Sequence, residues 1–348
     1  MDAALYDPGG GYYSTHREVR KDFYTAPELH VSFGQTIAAW LAGQLRSFPG
    51  YAGRSGTTYA VVEMGCGEGL LAESLIKSLA REHPSLFARL RFYLVEKSPK
   101  FRQACSQRME ALGDLLPEGK LEVLESLDSL PRVEGIFLSN ELVDALPAHL
   151  LEKAGGRIYE VYVAQDQEVG GRQYSLGEFS SKELLRRAQA VAPAVPDGGR
   201  FVLNLEAALW LKAVSEKLIA GKVITIDYGR RSPEAALAVP RFIYKHFSSP
   251  VPLQEMGRED ISCPVDFEAL VQDGRAAGLE LEAFTTLGNF MISNGILERL
   301  PRGLDRESAA SRNRMKTLFH PEGMGDIYKV LVQSKGLNIP QAQGNGDV

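Results

Sequence analysis

The stretch Tyr59–Ala80, YAVVEMGCGEGLLAESLIKSLA, constrains the fold more than any other part of the chain. An apolar, β-branched run ends at Met64, three glycines fall within five residues, and a helical pattern begins at once. Strand, tight turn and helix in that order form the opening unit of an α/β sheet. The unit recurs: RLRFYLVEKS reads as a strand, KFRQACSQRMEALGDLL as a helix, and LEVLES, VEGIFLSNEL and GKVITIDYG as further strands. Upstream, APELHVSFGQTIAAWLAGQL reads as one helix with Val31, Phe33, Ile37, Trp40 and Leu41 near helical spacing, and GDIYKVLVQSKG is a closing strand. The alternation predicts a largely parallel sheet covered by helices on both faces.

Two segments interrupt the pattern. Pro147 to Gly199 contains RIYEVYVAQ, an added strand, and the loop PAVPDGG; Arg230 to Asp266 is rich in Pro and charge. Both read as insertions over the carboxyl edge of the sheet, where ligand-selecting parts sit. The expected organisation is a cofactor-covering segment over 1–50 and a core over 51–146 and 200–230. An inserted segment spans 147–199, a substrate-side insertion 231–275, a completion of the sheet 276–336 and a frayed tail 337–348.

Gly65, Gly67 and Gly69 permit a tight turn and let a ligand approach bare backbone, and the helix start behind them offers free amides. A dinucleotide fingerprint aligned on Gly65 and Gly67 needs glycine where Leu70 stands, and no Gly-Lys-Ser or Gly-Lys-Thr follows for a phosphate loop. Glu63 closes the strand before the turn and Glu96 closes the next one. A carboxylate at the second strand tip suits the hydroxyls of a ribose. Glu63 would repel a pyrophosphate but attract a cation. That favours S-adenosyl-L-methionine, with its sulfonium and ammonium groups, over a nicotinamide dinucleotide.

Composition narrows the alternatives. The 348 residues are 24% charged and 44% hydrophobic with a formal net charge of −5, which fits a folded protein. With no sustained Lys/Arg block, nucleic acid is not the expected partner. Cys66, Cys105 and Cys263 are widely separated and the six histidines are scattered, so no metal is expected. There is no apolar run of membrane-spanning length and no apolar secretory segment in MDAALYDPGGGYY, so the expected location is cytoplasmic.

VVEMGCGEG resembles the first motif of the class I S-adenosylmethionine-dependent methyltransferases, an acidic strand end followed by G-x-G-x-G. More specifically, the chain resembles the MidA-like family, related to the mitochondrial arginine methyltransferase that assists assembly of respiratory complex I. The stretches that carry the likeness include YYSTHREVRKDFYTAPELHVSFGQTIAAWL, LVEKS, SNELVDALP, ITIDYG, DISCPVDFEAL and HPEGMGD, from about Gly10 to Asp326. The resemblance implies a Rossmann-like seven-strand sheet with an antiparallel last strand. It implies methyl transfer to a protein arginine, with S-adenosyl-L-homocysteine as product. Glu63, Gly65, Gly67 and Gly69 would cradle the methionine part, with Cys66 inside the loop, and Glu96 the ribose. Lys21 stands where the family has glycine, and PRFIYKH departs from its counterpart. Those departures bear on the acceptor, and alternatives are a small-molecule or RNA methyltransferase or a non-catalytic assembly protein. The expected partner is a protein substrate, with no membrane; a homodimer is compatible.

Two polar clusters complete the expectation. Asn140, Glu141 and Asp144 follow a strand end, and Glu141 and Asp144 would share a face if a helix starts at ELVDAL, with Asn140 as its cap. Carboxylates suit a guanidinium acceptor because they match its donor fork. Glu141, Asp144 and Asp227 are therefore the catalytic candidates, and Asn140 is grouped with the cofactor. Asp22, Thr25, Pro27 and Glu28 form the second cluster: a capping box explains Thr25 and Glu28, and the resemblance places the segment over the cofactor. Tyr228 and Gly229 follow Asp227 at a fourth strand end, Asp266 reads as a helix cap, and His149, His246 and His320 as surface or structural residues.

Overall fold

A computed structural model of the protein describes residues 1–15, 24–49, 51–52, 56–165, 172–231, 239–244, 247–249, 257–303 and 305–337. Asp22, Lys21 and His246, and the tail from 338, lie outside the described residues.

The central sheet is built from β1 (Tyr59–Met64), β2 (Leu90–Val95), β3 (Leu121–Leu124) and β4 (Val133–Asn140). The chain then forms β5 (His149–Ala154), β6 (Arg157–Gln165), β7 (Arg172–Gly177) and β8 (Arg200–Leu203) before returning as β9 (Leu218–Arg230). After β10 (Arg241–Tyr244), β11 (Phe247–Ser249), β12 (Asp260–Ser262) and β13 (Val265–Asp266), the sheet is completed by β14 (Glu280–Thr286) and β15 (Tyr328–Lys335). Its order is β14-β15-β9-β4-β1-β2-β3. β1, β2, β3, β4 and β9 pair in parallel, whereas β15 runs antiparallel to both β9 and β14. The expected seven-strand order with an antiparallel last strand is observed, and the two-residue β13 adds an eighth strand parallel to β9.

The helices are α1 (Asp2–Tyr6), α2 (Tyr12–Thr15), α3 (Ala26–Leu29), α4 (Ser32–Arg46), α5 (Leu70–Glu82), α6 (Pro84–Phe87) and α7 (Pro99–Glu110). They continue as α8 (Lys182–Val191), α9 (Leu205–Lys217), α10 (Phe267–Ala276), α11 (Leu287–Ser293) and α12 (Arg306–Phe319). Alternation along the strands divides the core in two. Val61, Phe92, Ile136, Leu138, Ile224 and Val330 pack with Phe33, Ile37, Leu41 and Leu75 on one face. Val62, Tyr93, Phe137, Val223 and Leu331 pack with Leu211, Val214, Phe267 and Leu270 on the other. Each fully buried large side chain contributes about 1.5–3 kcal/mol, so both helical layers hold the sheet and its carboxyl edge in place.

The structure differs from the sequence reading at three elements. The helix from Ala26 onward is two helices, because His30 is extended (φ −161°) and its ring accepts the Ser32 amide at 3.1 Å. The segment after Pro147 adds four antiparallel strands in the order β7-β6-β5-β8, around a small core of Leu151, Leu184, Ala188, Val195 and Phe201. β8 belongs to this unit, pairing with β5, so the inserted sheet ends at Leu203 instead of Gly199. Finally, β14 is an edge strand whose residues Glu280 and Glu282 interrupt any apolar run.

Candidate active site

The carboxyl ends of β1, β2, β4 and β9 open into a cleft of about 1150 Å³. Thr25, Pro27, Glu28, Glu63, Gly65, Cys66, Gly67, Glu96, Asn140, Glu141 and Asp144 all line it. Among the described residues its basic lining consists of Lys97 and Arg241, against a large excess of carboxylates.

The floor is the glycine turn. Gly65, Gly67 and Gly69 have φ of +68°, +54° and +78°, left-handed values that side chains resist. A Cβ at Gly67 would meet nothing within 4 Å, whereas one at Gly69 would press on Cys105 Sγ at 2.8 Å. Gly69 therefore serves close packing of the turn against α7 and does not itself line the cleft. Glu63 is 4% exposed, and the Ala72 amide in the first turn of α5 hydrogen-bonds its carboxyl. Burial pushes that carboxyl well above the usual range, with Cys105 and Glu96 adding to the rise. Among the described residues its Oε2 has no partner. A buried carboxylate oxygen without a donor costs about 1–3 kcal/mol, so the position fits a cationic ligand group.

Glu96, just beyond β2, accepts the Gly67 amide on Oε2 at 2.9 Å and the Ser98 amide on Oε1 at 2.8 Å. Burial raises its carboxyl despite these bonds. α1 and α2 roof this end: Tyr6 stacks on Tyr13 at 5.5 Å, and Ser98 Oγ donates to Tyr13 O at 2.9 Å. Beyond Glu96, Ser126, Leu127 and Asp128 from the loop after β3 line the cleft.

The other end is acidic. No helix starts at ELVDAL: Glu141 has φ +52°, unlike every other non-glycine residue described, and only a 3-10 turn follows at Val143–Ala145. The helical-face expectation for Glu141 and Asp144, and the cap at Asn140, are corrected accordingly; the turn brings the two carboxyls into one cleft by another route. The left-handed backbone costs about 1–2 kcal/mol, and the Glu141 amide is held by Ile226 O at 2.9 Å. Glu141 Oε1 accepts from the Ala26 amide (3.2 Å) and Asn140 Nδ2 (3.1 Å), and Oε2 from the Tyr328 hydroxyl (3.0 Å). Burial, with Asp144 nearby, pushes the Glu141 carboxyl up to about 7. Burial likewise raises Asp144 to about 6. The Ser262 hydroxyl donates to Asp144 Oδ2 at 2.8 Å and is itself 2.7 Å from the Tyr228 hydroxyl.

Asp227 is corrected as a catalytic candidate. It is fully buried; its Oδ2 accepts the Val143 and Asp144 amides at 2.9 and 3.3 Å, and its Oδ1 accepts the Tyr228 amide at 2.9 Å. It shapes the acidic turn from behind and does not line the cleft. Thr25 and Glu28 behave as a cap, the Thr25 amide donating to Glu28 Oε2 at 3.0 Å, and also line the cleft. Asp266 caps α10 through the Glu268 and Ala269 amides. His149 pairs with Glu160 at 2.8 Å and His320 faces the Glu322 amide, both away from the cleft. The inserted sheet contributes no lining residue, while the 231–275 segment supplies Arg241, Asp260 and Ser262. Tyr6, Tyr13, Tyr328, Asp260 and Ser262 were not singled out by spacing; the aromatic density before Tyr24 and the DIS stretch were their only signals. No group of three His, Cys, Asp or Glu among the described residues is arranged to hold a metal.

The profile of a family described as "Putative S-adenosyl-L-methionine-dependent methyltransferase" matches residues 36–285. The chain belongs to this family. Among solved structures, a Burkholderia thailandensis protein crystallised with S-adenosyl-homocysteine is 28% identical, with a TM-score of 0.82 over 97% of this chain and 87% of that one. Among curated proteins, the mitochondrial protein arginine methyltransferase NDUFAF7 homolog of Drosophila melanogaster is 24% identical, covering 97% of this chain and 80% of its own. Its Rattus norvegicus counterpart is 25% identical, covering 94% and 78%. These relatives overturn the cytoplasmic expectation, since the fly, rat, zebrafish and human proteins alike are mitochondrial.

Proposed function

We propose that the protein transfers a methyl group from S-adenosyl-L-methionine to a guanidinium nitrogen of an arginine in a protein acceptor. The observation that carries the acceptor class is the pair of half-buried Glu141 and buried Asp144, two carboxyls in one cleft to which no lysine or arginine among the described residues is bonded. The cofactor reading is supported by the unpartnered Glu63 oxygen, by bare backbone at Gly67, and by the family to which the chain belongs.

In this reading Glu63 accepts the ammonium of the cofactor, Glu96 its ribose hydroxyls, and Ser126 to Asp128 flank its base. The cofactor supplies an activated methyl on sulfur. What remains for the protein is placement and a proton. Glu141 and Asp144 hold the planar cation, and Tyr228 and Tyr328 border it. Raised to about 7 by burial, the Glu141 carboxylate is a better proton acceptor than an exposed one, so it takes the guanidinium proton as nitrogen bonds to methyl. Asp227 fixes the turn that presents both acids. That the fly and rat relatives are named protein arginine methyltransferases agrees with this assignment.

The test is transfer of tritiated methyl from S-adenosyl-L-methionine into a cell lysate, with protein, RNA and metabolite fractions counted separately. Label in arginine of a protein supports the reading. Label confined to RNA or metabolites refutes the protein acceptor. No transfer by a protein that binds S-adenosyl-L-homocysteine favours a non-catalytic role.

A further inference from the structure

The glycine turn contains a second chemical group that the proposed reaction does not use. Cys66 lies between Gly65 and Gly67, lines the cleft, and its Sγ is 3.7 Å from Cys105 Sγ in the middle of α7. Both are free thiols. Cys105 is fully buried and Cys66 nearly so, so the cleft is the approach to the pair. The turn and α7 are tied together independently of the sulfurs: Arg108 donates to Glu68 O and to Glu73 Oε2, each at 2.8 Å.

We propose that Cys66 and Cys105 are a modification site, oxidised by peroxide to a disulfide that weakens cofactor binding. Loss of one proton from the pair is favoured at Cys105, which the hydrogen bond from Cys66 lowers below the ordinary thiol value; the remaining proton is shared between the sulfurs. Cys66, facing the cleft, passes its proton to the Cys105 sulfur to which it donates and attacks peroxide: an S–O bond forms, the O–O bond breaks, and the departing hydroxide takes up the proton lost from the pair to leave as water. Cys105 then attacks the sulfenic sulfur: the S–S bond forms, the S–O bond breaks and a second water departs. Two thiols are oxidised and one peroxide is reduced to two waters.

A disulfide is about 2.05 Å long, so the sulfurs must close by more than an ångström. α7 is anchored by packing and by Ser98 at its cap, so the turn moves. Residue 66 is flanked by left-handed Gly65 and Gly67, and the Gly67 amide is bonded to Glu96. Drawing Cys66 towards α7 therefore shifts the backbone and the carboxylate that the cofactor reading uses. The effect on binding rests on that reading; formation of the disulfide does not.

The test uses the full chain, reduced or treated with hydrogen peroxide, then alkylated and digested for mass spectrometry, with S-adenosyl-L-homocysteine binding measured by calorimetry. The expected result is a Cys66–Cys105 cross-linked peptide and an affinity loss of about tenfold or more (about 1.4 kcal/mol), restored by dithiothreitol. Cys105→Ser, with Cys105→Ala as a second variant, binds as the reduced protein does, and after peroxide it forms no cross-linked peptide and keeps its affinity. Fully alkylated Cys66 after peroxide overturns the site. A disulfide with unchanged affinity, or a Cys105 variant that loses affinity in step with the unmodified chain, overturns the coupling. Reduced protein that fails to bind the ligand refutes the cofactor reading and the coupling together, and the cross-linked peptide then decides the modification site alone.

Discussion

Replacing Glu63 by glutamine should stabilise the empty protein and weaken the liganded one. The residue is 4% exposed, and its Oε2 is without a donor among the described residues. Glutamine keeps the shape and an acceptor for the Ala72 amide, and it removes a desolvated charge. Because the folded carboxyl titrates above its unfolded value of about 4.3, the folded state binds more protons in that window. The unsubstituted protein therefore loses stability as pH rises from about 4.3 through the folded value. Glu63→Gln escapes this loss, so its advantage is absent near pH 4, grows with pH, and levels off above the folded value. Relief of an unsatisfied buried charge is worth about 1–3 kcal/mol, a melting-temperature gain of a few degrees at pH 8. In the complex, a hydrogen bond between ammonium and carboxylate contributes about 1.5–3 kcal/mol, so affinity for S-adenosyl-L-homocysteine should fall about 10- to 150-fold. Thermal melts at pH 4.5 and 8, with calorimetry at pH 8, read both arms. A variant that melts lower at pH 8, or binds as tightly as the unsubstituted chain, would refute the reasoning.

Acceptor binding should strengthen with pH, because Asp144 and Glu141, at about 6 and 7, must both ionise to pair with a guanidinium. The acceptor KM should fall from pH 5 to 8, and Glu141→Gln should remove the upper part of that change and lower kcat/KM by about 100-fold; an unaltered profile contradicts the role. Gly65→Val sets a β-branched residue at φ +68° with its Cβ 2.8 Å from Leu142 Cδ1, so ligand binding should vanish while circular dichroism is retained. Asp227→Ala strips the Val143, Asp144 and Tyr228 amides of their acceptor, a loss of about 1–3 kcal/mol for a buried group left unpaired; an unchanged melting temperature would show that Asp227 does not support the turn.

The sheet was legible because its central strands are buried on both faces and therefore read as apolar runs, as in YAVVEM and GKVITIDYG. β14 was not, since an edge strand tolerates Glu280 and Glu282 on its exposed side. The glycine-turn end of the cleft was legible because a positive φ demands glycine and a strand tip fixes where Glu63 and Glu96 must lie. The acidic end was legible in its residue types only. Glu141 and Asp144 stand three apart, a helical spacing, yet a left-handed residue and a 3-10 turn bring them together. Ser262, Asp260 and Tyr328 reach the cleft from strands far along the chain, a placement that only the sheet order creates. Asp227 shows the converse error: a carboxyl-edge acid turned inward to satisfy backbone amides.

Calorimetric titration of the purified, reduced protein with S-adenosyl-L-homocysteine tests the central claim most directly. One-site binding that Glu63→Gln weakens without unfolding the chain is the predicted result. A folded protein that takes up no S-adenosyl-L-homocysteine, or binds it equally well without the Glu63 charge, would contradict the account.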